Sequence, residues 1–164
     1  MAVARKRKQS ERFRARGPSK TGLLEGAGPR EVVARIDSDE DIVLARERAR
    51  ALAGKLGFSA TDRVLIAAAI SELARNILKY AERGEIRMGP IHNHTTRGIG
   101  VVARDEGPGI ENVEFALKDG FSTSGGLGLG LPGVRRLMDD FEIETRAGEG
   151  TAVRVTKWLK DGAS

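Results

Sequence analysis

The segment from Asp105 to about residue 131 constrains the fold most, because a long glycine-rich stretch here separates regular helix and strand patterns. Irregular stretches of this length are uncommon inside a compact domain and are usually functional lids or disordered inserts. Near its end, the leucines of GGLGLGL alternate with glycines. A flexible linker does not need these leucines, so the pattern indicates a segment that packs when it is ordered.

The residues around this segment predict a single layered domain. Hydrophobic periodicity and capping residues predict helices from 39 to 56, with Gly57 as C-cap, from Ser59 to about 81, and from Pro132 to 140. Alternating apolar residues predict strands at 31–36, 85–91, 98–104, 141–145 and 151–158. This order predicts an α/β (α+β) two-layer sandwich, with a mixed, mostly antiparallel sheet and helices on one face.

The charge of the chain is concentrated at its start. Residues 1–20 hold eight of the 28 Lys and Arg and one acid, Glu11, so they carry +7 and the rest of the chain −2. We predict a disordered basic tail over residues 1–29 and a single domain over residues 30–161. The domain lacks the basic surplus of a nucleic-acid-binding fold, so nucleic acid is not an expected partner.

Composition argues against a membrane protein and against a disulfide-bonded protein. No apolar run approaches the ~20 residues of a membrane helix, so membrane insertion is not expected. The chain has no cysteine and therefore neither disulfides nor a thiolate metal site. A cytoplasmic location is the default expectation for such a chain.

Polar residues form a row on the second predicted helix. At 100° per residue, Glu72, Asn76 and Lys79 fall within roughly a 60° arc beside an apolar stripe. A carboxylate and an amide one turn apart offer the hard oxygen ligands that Mg²⁺ accepts. The carboxylate could also deprotonate a hydroxyl group. An ordinary solvated polar face is the alternative, since such a pair is common by itself.

Asp105 ends the apolar strand GIGVVA and precedes Gly107 and Gly109. A strand that ends in Asp before an abrupt turn places a carboxylate at the edge of a pocket. The carboxylate can accept a hydrogen bond from an exocyclic amine such as that of adenine. The glycines permit positive φ angles and close approach of the backbone to a ligand. A tight turn capped by Asp105 is the alternative.

The glycines near the end of the irregular segment lie just before the helix that Pro132 begins. Backbone amides at a helix N-terminus can cradle phosphates, and hydroxyl groups nearby add donors. The segment is not a P-loop, because no Gly-Lys-Ser/Thr follows. A flexible linker remains the alternative. The candidate ligand-binding residues of this segment are Ser122, Thr123, Gly125, Gly126, Leu127, Gly128, Leu129 and Gly130.

Taken in order, these segments resemble the nucleotide site of the Bergerat-fold (GHKL) ATPases, which include gyrases, Hsp-type chaperones, histidine kinases and MutL proteins. The motifs are ELARN at 72–76, DEGPG at 105–109, GLGLG at 126–130 and Gly150-Thr151. Within this superfamily, residues 31–160 look most similar to switch-protein serine/threonine kinases of the RsbT type.

The resemblance implies a role for each motif residue. Asn76 would hold Mg²⁺, Glu72 would act as general base, and Asp105 would bind the adenine amine of ATP. Thr151 would lie near the adenine, directly or through a water, and Lys79 would approach the phosphates. The glycines at 107, 109, 126, 128 and 130 would shape the lid and the phosphate pocket.

The resemblance also implies partners. Kinases of this type phosphorylate STAS-domain antagonist proteins of the stressosome and, once released, activate a PP2C-type phosphatase. Two alternatives stay open. The chain could be an anti-sigma-factor kinase that sequesters a sigma factor, or a non-catalytic module whose partner binding is gated by ATP.

Overall fold

A computed structural model describes residues 11–15, by their backbone alone, together with residues 30–118 and 130–161. The described strands and helices follow one another as β1 (Glu11–Ala15), β2 (Val32–Ile36), α1 (Asp39–Leu56), α2 (Ala60–Ala81), β3 (Gly84–His92), β4 (Arg97–Asp105), α3 (Val113–Ala116), α4 (Gly130–Leu137), β5 (Asp140–Arg146) and β6 (Gly150–Trp158).

The six strands form one sheet in the order β1-β5-β6-β4-β3-β2. The long helices pack on it and on each other, so the predicted sandwich of helices and sheet is confirmed. Every pairing among the described strands is antiparallel, so the mixed part of the predicted sheet is wrong. Short turns join β3 to β4 and β5 to β6, and a short turn can only join antiparallel neighbours.

Local signals fix the two long helices at the predicted positions. Helix α1 ends at Leu56, and Gly57 follows with a φ of 94°. Helix α2 is capped by Ser59, whose hydroxyl accepts a hydrogen bond from the Asp62 N–H at 3.1 Å. Within the part of the chain that the structure describes, no helix has both the length and the apolarity needed to cross a membrane.

Alternation along the strands builds the core and also positions the site. On β4, Ile99 and Val101 are fully buried beneath the helices. With a side-chain period of two, Asp105 lies on this same face at the end of the strand. On β6, Val153 and Val155 are buried, and Thr151 shares their face. At this end of the sheet, the buried hydrophobic face of β4 and β6 therefore ends in the polar side chains of Asp105 and Thr151.

Residues 11–15 correct the prediction of a tail without regular structure over residues 1–29. They form β1, which pairs with β5 so that Phe13 lies opposite Ile143. Without β1, β5 would be an edge strand, and the unpaired N–H and C=O groups of an edge attract a further strand. The high charge of this segment hid a strand whose partner is about 130 residues away. The other residues of 1–29 lie outside the described part of the chain.

The segment from 105 to 131 is also more regular than predicted. Helix α3 lies within it, and the Asn112 side chain accepts a hydrogen bond from the Phe115 N–H at 2.9 Å. Helix α4 begins at Gly130 and ends at Leu137, not from Pro132 to residue 140. Pro132 lies in its first turn, where a missing N–H breaks no helical hydrogen bond.

Gly150 and Gly57 provide a matched test of what holds the β5–β6 turn in place. Both have a positive φ, 109° and 94°. A Cβ atom at Gly150 would overlap the Asp105 carbonyl oxygen, whereas a Cβ atom at Gly57 would meet nothing within 4 Å. We predict that Gly57→Ala lowers the free energy of unfolding by about 1–2 kcal/mol through backbone strain alone. Gly150→Ala costs at least about 1 kcal/mol more, because the overlap must be relieved. Urea unfolding of both variants checks this, and equal losses would contradict it.

Candidate functional site

The candidate site lies where β4 ends beside the start of β6. Asp105 pairs with Thr151 on β6, and Thr151 pairs with Thr145 on β5. Directly opposed residues in antiparallel strands project their side chains from the same face. The three polar side chains therefore form a row across three strands, on the face that the helices cover.

Asp105 is held at this edge by the loop that follows it. The Gly107 N–H donates a hydrogen bond to Asp105 Oδ1 at 2.9 Å. Burial raises the pKa of the Asp105 carboxyl, while backbone hydrogen bonds from Gly107 and Thr151 oppose this rise. The carboxylate is thus partly removed from water but oriented, as expected of a group that binds a ligand donor.

The glycines after Asp105 let this loop pack closely against its neighbours. A Cβ atom at Gly107 would lie 2.7 Å from the Cβ of Ala81, at the end of α2. Gly109 has a φ of 78°, and a Cβ atom there would overlap the carbonyl oxygen of Arg146. The loop is therefore held between α2 and the β5–β6 turn, which brings Asp105 near the polar row on α2.

The polar row on α2 runs from the interior to the surface. Glu72 is buried, Asn76 is half-buried and Lys79 is exposed. The Lys79 ammonium lies 5.0 Å from the centre of the Tyr80 ring, at the exposed end of the row. The single predicted arc thus places a carboxylate, an amide and a cation at successive depths.

The two carboxylate oxygens of Glu72 have different partners. Oε1 forms an ion pair with the guanidinium of Arg75, whose side chain is about half exposed. Oε2 accepts a hydrogen bond from the N–H of Gly130 at 3.3 Å. Glu72 therefore connects α2 to the first residue of α4, and Gly130 adopts a φ of 55° there.

The residues present fit a magnesium ion that is bound together with a phosphorylated ligand. No group of three or more His, Asp or Glu residues that could hold a metal occurs among residues 30–118 and 130–161. Mg²⁺ usually takes one or two protein oxygens and leaves its other positions to water and phosphates. The half-buried amide of Asn76 supplies one such oxygen from α2.

Most of the predicted phosphate-binding residues lie outside the described part of the chain. Of the predicted phosphate-binding residues between 122 and 130, only Gly130 is described. The others lie outside the described residues, so their roles stay predictions: Ser122, Thr123, Gly125, Gly126, Leu127, Gly128 and Leu129.

The structure also brings forward Thr145, which sequence reasoning did not select. It is buried, and its hydroxyl accepts a hydrogen bond from the Ile110 N–H at 2.9 Å. It also lies 3.2 Å from the Gly150 carbonyl oxygen and 3.0 Å from the Thr151 hydroxyl. The available signal was its alternation with Phe141 and Ile143, which predicts a polar residue on the buried face of β5.

Comparison with known proteins supports a nucleotide site. Residues 37–157 match the histidine kinase-like ATPase domain. The chain is 49% identical over 126 residues to the serine/threonine-protein kinase RsbT of Bacillus subtilis (strain 168), an alignment that covers 77% of this chain and 95% of that protein.

More distant relatives are anti-sigma F factors. The protein from Caldanaerobacter subterraneus subsp. tengcongensis is 32% identical over 119 residues, which cover 70% of this chain and 83% of the relative. The protein from Thermoanaerobacter sp. (strain X514) is 30% identical with the same coverage.

Asp105 gives a test that separates stability from ligand binding. Since burial raises its pKa in the folded protein, the fold favours the neutral form. We predict that Asp105→Asn unfolds at higher urea than wild type at pH 7 but binds ATP more weakly. The Asn oxygen can still accept the Gly107 hydrogen bond, and the charge that suffers from burial is gone.

The pH dependence follows from the same shift. The advantage of the variant is full above the raised pKa and disappears as the pH falls below the unfolded value of about 3.9, where Asp105 is neutral in both states. Glu106→Gln, at the exposed neighbouring position, is the control and changes neither the urea concentration of unfolding nor the affinity for ATP. A less stable Asp105→Asn variant at pH 7, or one with unaltered ATP affinity, would refute this account.

Proposed function

The chain belongs to the family of histidine kinase-like ATPase domains and is a serine/threonine protein kinase, and from this premise we propose that it phosphorylates STAS-domain antagonist proteins in a partner switch that depends on ATP and Mg²⁺. The observation that carries the proposal is the identity of 49% to the kinase RsbT, over 95% of that protein. The geometry of the site is consistent with this proposal. Glu72 and Asn76 lie on α2, and Asp105 lies at the end of β4, whose following loop packs against the end of α2 at Gly107.

We assign the end of the site at β4 and β6 to the adenine of ATP, and the polar row on α2 to its phosphates. Asp105 accepts a hydrogen bond from the adenine amine, and Thr151 lies beside it on the next strand. Asn76 holds Mg²⁺ together with the phosphates, and Lys79 approaches the phosphates from the exposed end of α2. Bound Mg²⁺ supplies neutralisation of the charge on the phosphate oxygens.

Glu72 is the proposed general base. The hydroxyl oxygen of the substrate Ser or Thr forms a bond to the γ-phosphorus, and the bond from that phosphorus to the bridging oxygen of ADP breaks. The hydroxyl proton passes to a carboxylate oxygen of Glu72. Each carboxylate oxygen has one protein partner and two lone pairs, so it can also accept a hydrogen bond from the arriving hydroxyl. Arg75 lies at the open side of the carboxylate, since its side chain is half exposed whereas Glu72 is buried.

The switch itself is a change of protein partner. We propose that phosphorylation of the STAS-domain antagonist releases the kinase, which then binds and activates a PP2C-type phosphatase in the cytoplasm. The name and the coverage of the RsbT relative support this choice within the family.

An anti-sigma-factor kinase is the second candidate, and the identities of 32% and 30% to anti-sigma F factors favour it. It would use the same site but hold a sigma factor. A non-catalytic module gated by ATP is the third candidate, and it would bind ATP without transferring phosphate.

Phosphoryl transfer is the direct test of the proposed chemistry. With labelled ATP, Mg²⁺ and a STAS-domain protein encoded near this gene, we expect label on the STAS protein. Glu72→Gln should lower the rate of transfer by about 10²–10⁴-fold, the usual contribution of a general base. ATP affinity should change little, because a glutamine oxygen can still accept the hydrogen bond from Gly130. Glu149→Gln, on the exposed β5–β6 turn, is the control and should retain full activity. Equal rates for Glu72→Gln and wild type would refute the role of Glu72.

Partner capture separates the candidates. We expect immobilised wild-type protein to retain a PP2C-type phosphatase once its STAS protein is phosphorylated. Asn76→Ala, which lacks the proposed Mg²⁺ ligand, should lose ATP binding and this exchange of partners. Stoichiometric retention of a sigma factor would instead support the anti-sigma reading. ATP binding by wild type without transfer to any STAS protein would support the non-catalytic module.

A further inference from the structure

Thr145 occupies the end of the polar row that begins at Asp105. It lies opposite Thr151, and Thr151 lies opposite Asp105. Only 3% of its surface is exposed, so its hydroxyl must find its hydrogen bonds within the protein.

Satisfying all three contacts of this hydroxyl as hydrogen bonds requires one arrangement of the protons. A threonine hydroxyl has one proton and two lone pairs. The Ile110 N–H, at 2.9 Å, uses one lone pair. The Gly150 carbonyl oxygen can only accept, so the contact at 3.2 Å takes the proton of Thr145. The contact of 3.0 Å to Thr151 then requires Thr151 to donate into the second lone pair.

This arrangement leaves only lone pairs free on the hydroxyl of Thr151. The single proton of that hydroxyl is directed to Thr145, so on the side of the neighbouring Asp105 the hydroxyl can act only as an acceptor. An ionised Asp105 is likewise an acceptor only. Two acceptors side by side suit an edge that donates hydrogen bonds, such as the exocyclic amine of adenine or a water bound to it. They disfavour the 6-oxo group of guanine, which is an acceptor.

We propose that Thr145 is a positioning residue that sets the preference for ATP over GTP, by fixing Thr151 as a hydrogen-bond acceptor. The proposal rests on the proposed function, in which Asp105 and Thr151 bind the base. Thr145 acts through Thr151 and through the loop at Ile110.

The same hydroxyl holds the loop that follows Asp105. The Ile110 N–H has its hydrogen bond on Thr145, and the preceding Gly109 packs against the Arg146 carbonyl group. Loss of the hydroxyl therefore frees the Thr151 proton and loosens this loop. Only the freed proton of Thr151 changes the preference between adenine and guanine. The ratio of ATP affinity to GTP affinity therefore distinguishes this effect from a general loosening of the loop.

The test compares Thr145→Val, which keeps the shape without the hydroxyl, with Thr145→Ser, which keeps the hydroxyl. Dissociation constants for Mg²⁺-ATP and Mg²⁺-GTP are measured by calorimetry for both variants and wild type. We expect Thr145→Val to reduce the ratio of ATP to GTP affinity by about tenfold, the loss of one properly directed hydrogen bond. Thr145→Ser should stay within about threefold of the wild-type ratio.

An unchanged ratio in Thr145→Val, including an equal loss of both affinities, overturns the proposal and leaves Thr145 with a structural role only. If Thr145→Val does not fold, Thr151→Val removes the acceptor itself, and an unchanged ratio there overturns the proposal as well. In either case, if the wild-type protein binds ATP more tightly than GTP, the proposed function still stands and only the role of Thr145 is refuted. Wild type that binds neither nucleotide refutes the proposed function and this proposal together.

Discussion

The register of β4, β6 and β5 is the constraint on which the site depends, because it sets Asp105, Thr151 and Thr145 side by side beneath the helices. Glycines flank the end of β4 on both sides. A Cβ atom at Gly84 would overlap the Arg104 carbonyl oxygen, and one at Gly150 would overlap that of Asp105. A slip of one residue would turn the polar row to the opposite face of the sheet. The close approach at Gly150 therefore maintains both the turn and the site.

Helix α4 is held at both ends by charged groups whose signs suit its dipole. Glu72 accepts a hydrogen bond from Gly130 at the N-terminus, and the Lys157 ammonium donates to the Leu137 carbonyl oxygen at 2.9 Å at the C-terminus. A carboxylate at the N-terminus and a cation at the C-terminus both stabilise a helix. Glu72 thus has a structural contact in addition to its proposed role as general base. Movement of Gly130 would therefore alter the surroundings of the Glu72 carboxylate.

Local sequence was sufficient for some features and insufficient for others. Caps at Gly57 and Ser59 predicted the ends of α1 and α2, because these signals act within one helical turn. The arc of Glu72, Asn76 and Lys79 likewise follows from helical geometry. Alternation predicts only that Thr145 lies on the buried face of β5, because its contacts depend on strand register and on a loop 35 residues earlier. Strand β1 was missed for the same reason: its partner is distant in sequence, and its charges resemble those of a solvated tail.

Hydrogen–deuterium exchange with and without Mg²⁺-ATP tests most directly whether these elements form one nucleotide site. ATP should slow exchange together in α2 around Glu72 and Asn76, in the loop from Asp105 to Ile110, and at the start of β6 around Thr151. Slower exchange is expected because a nucleotide that touches all three elements would suppress their local opening. Unaltered exchange in these segments, with protection confined to other parts of the chain, would contradict the account.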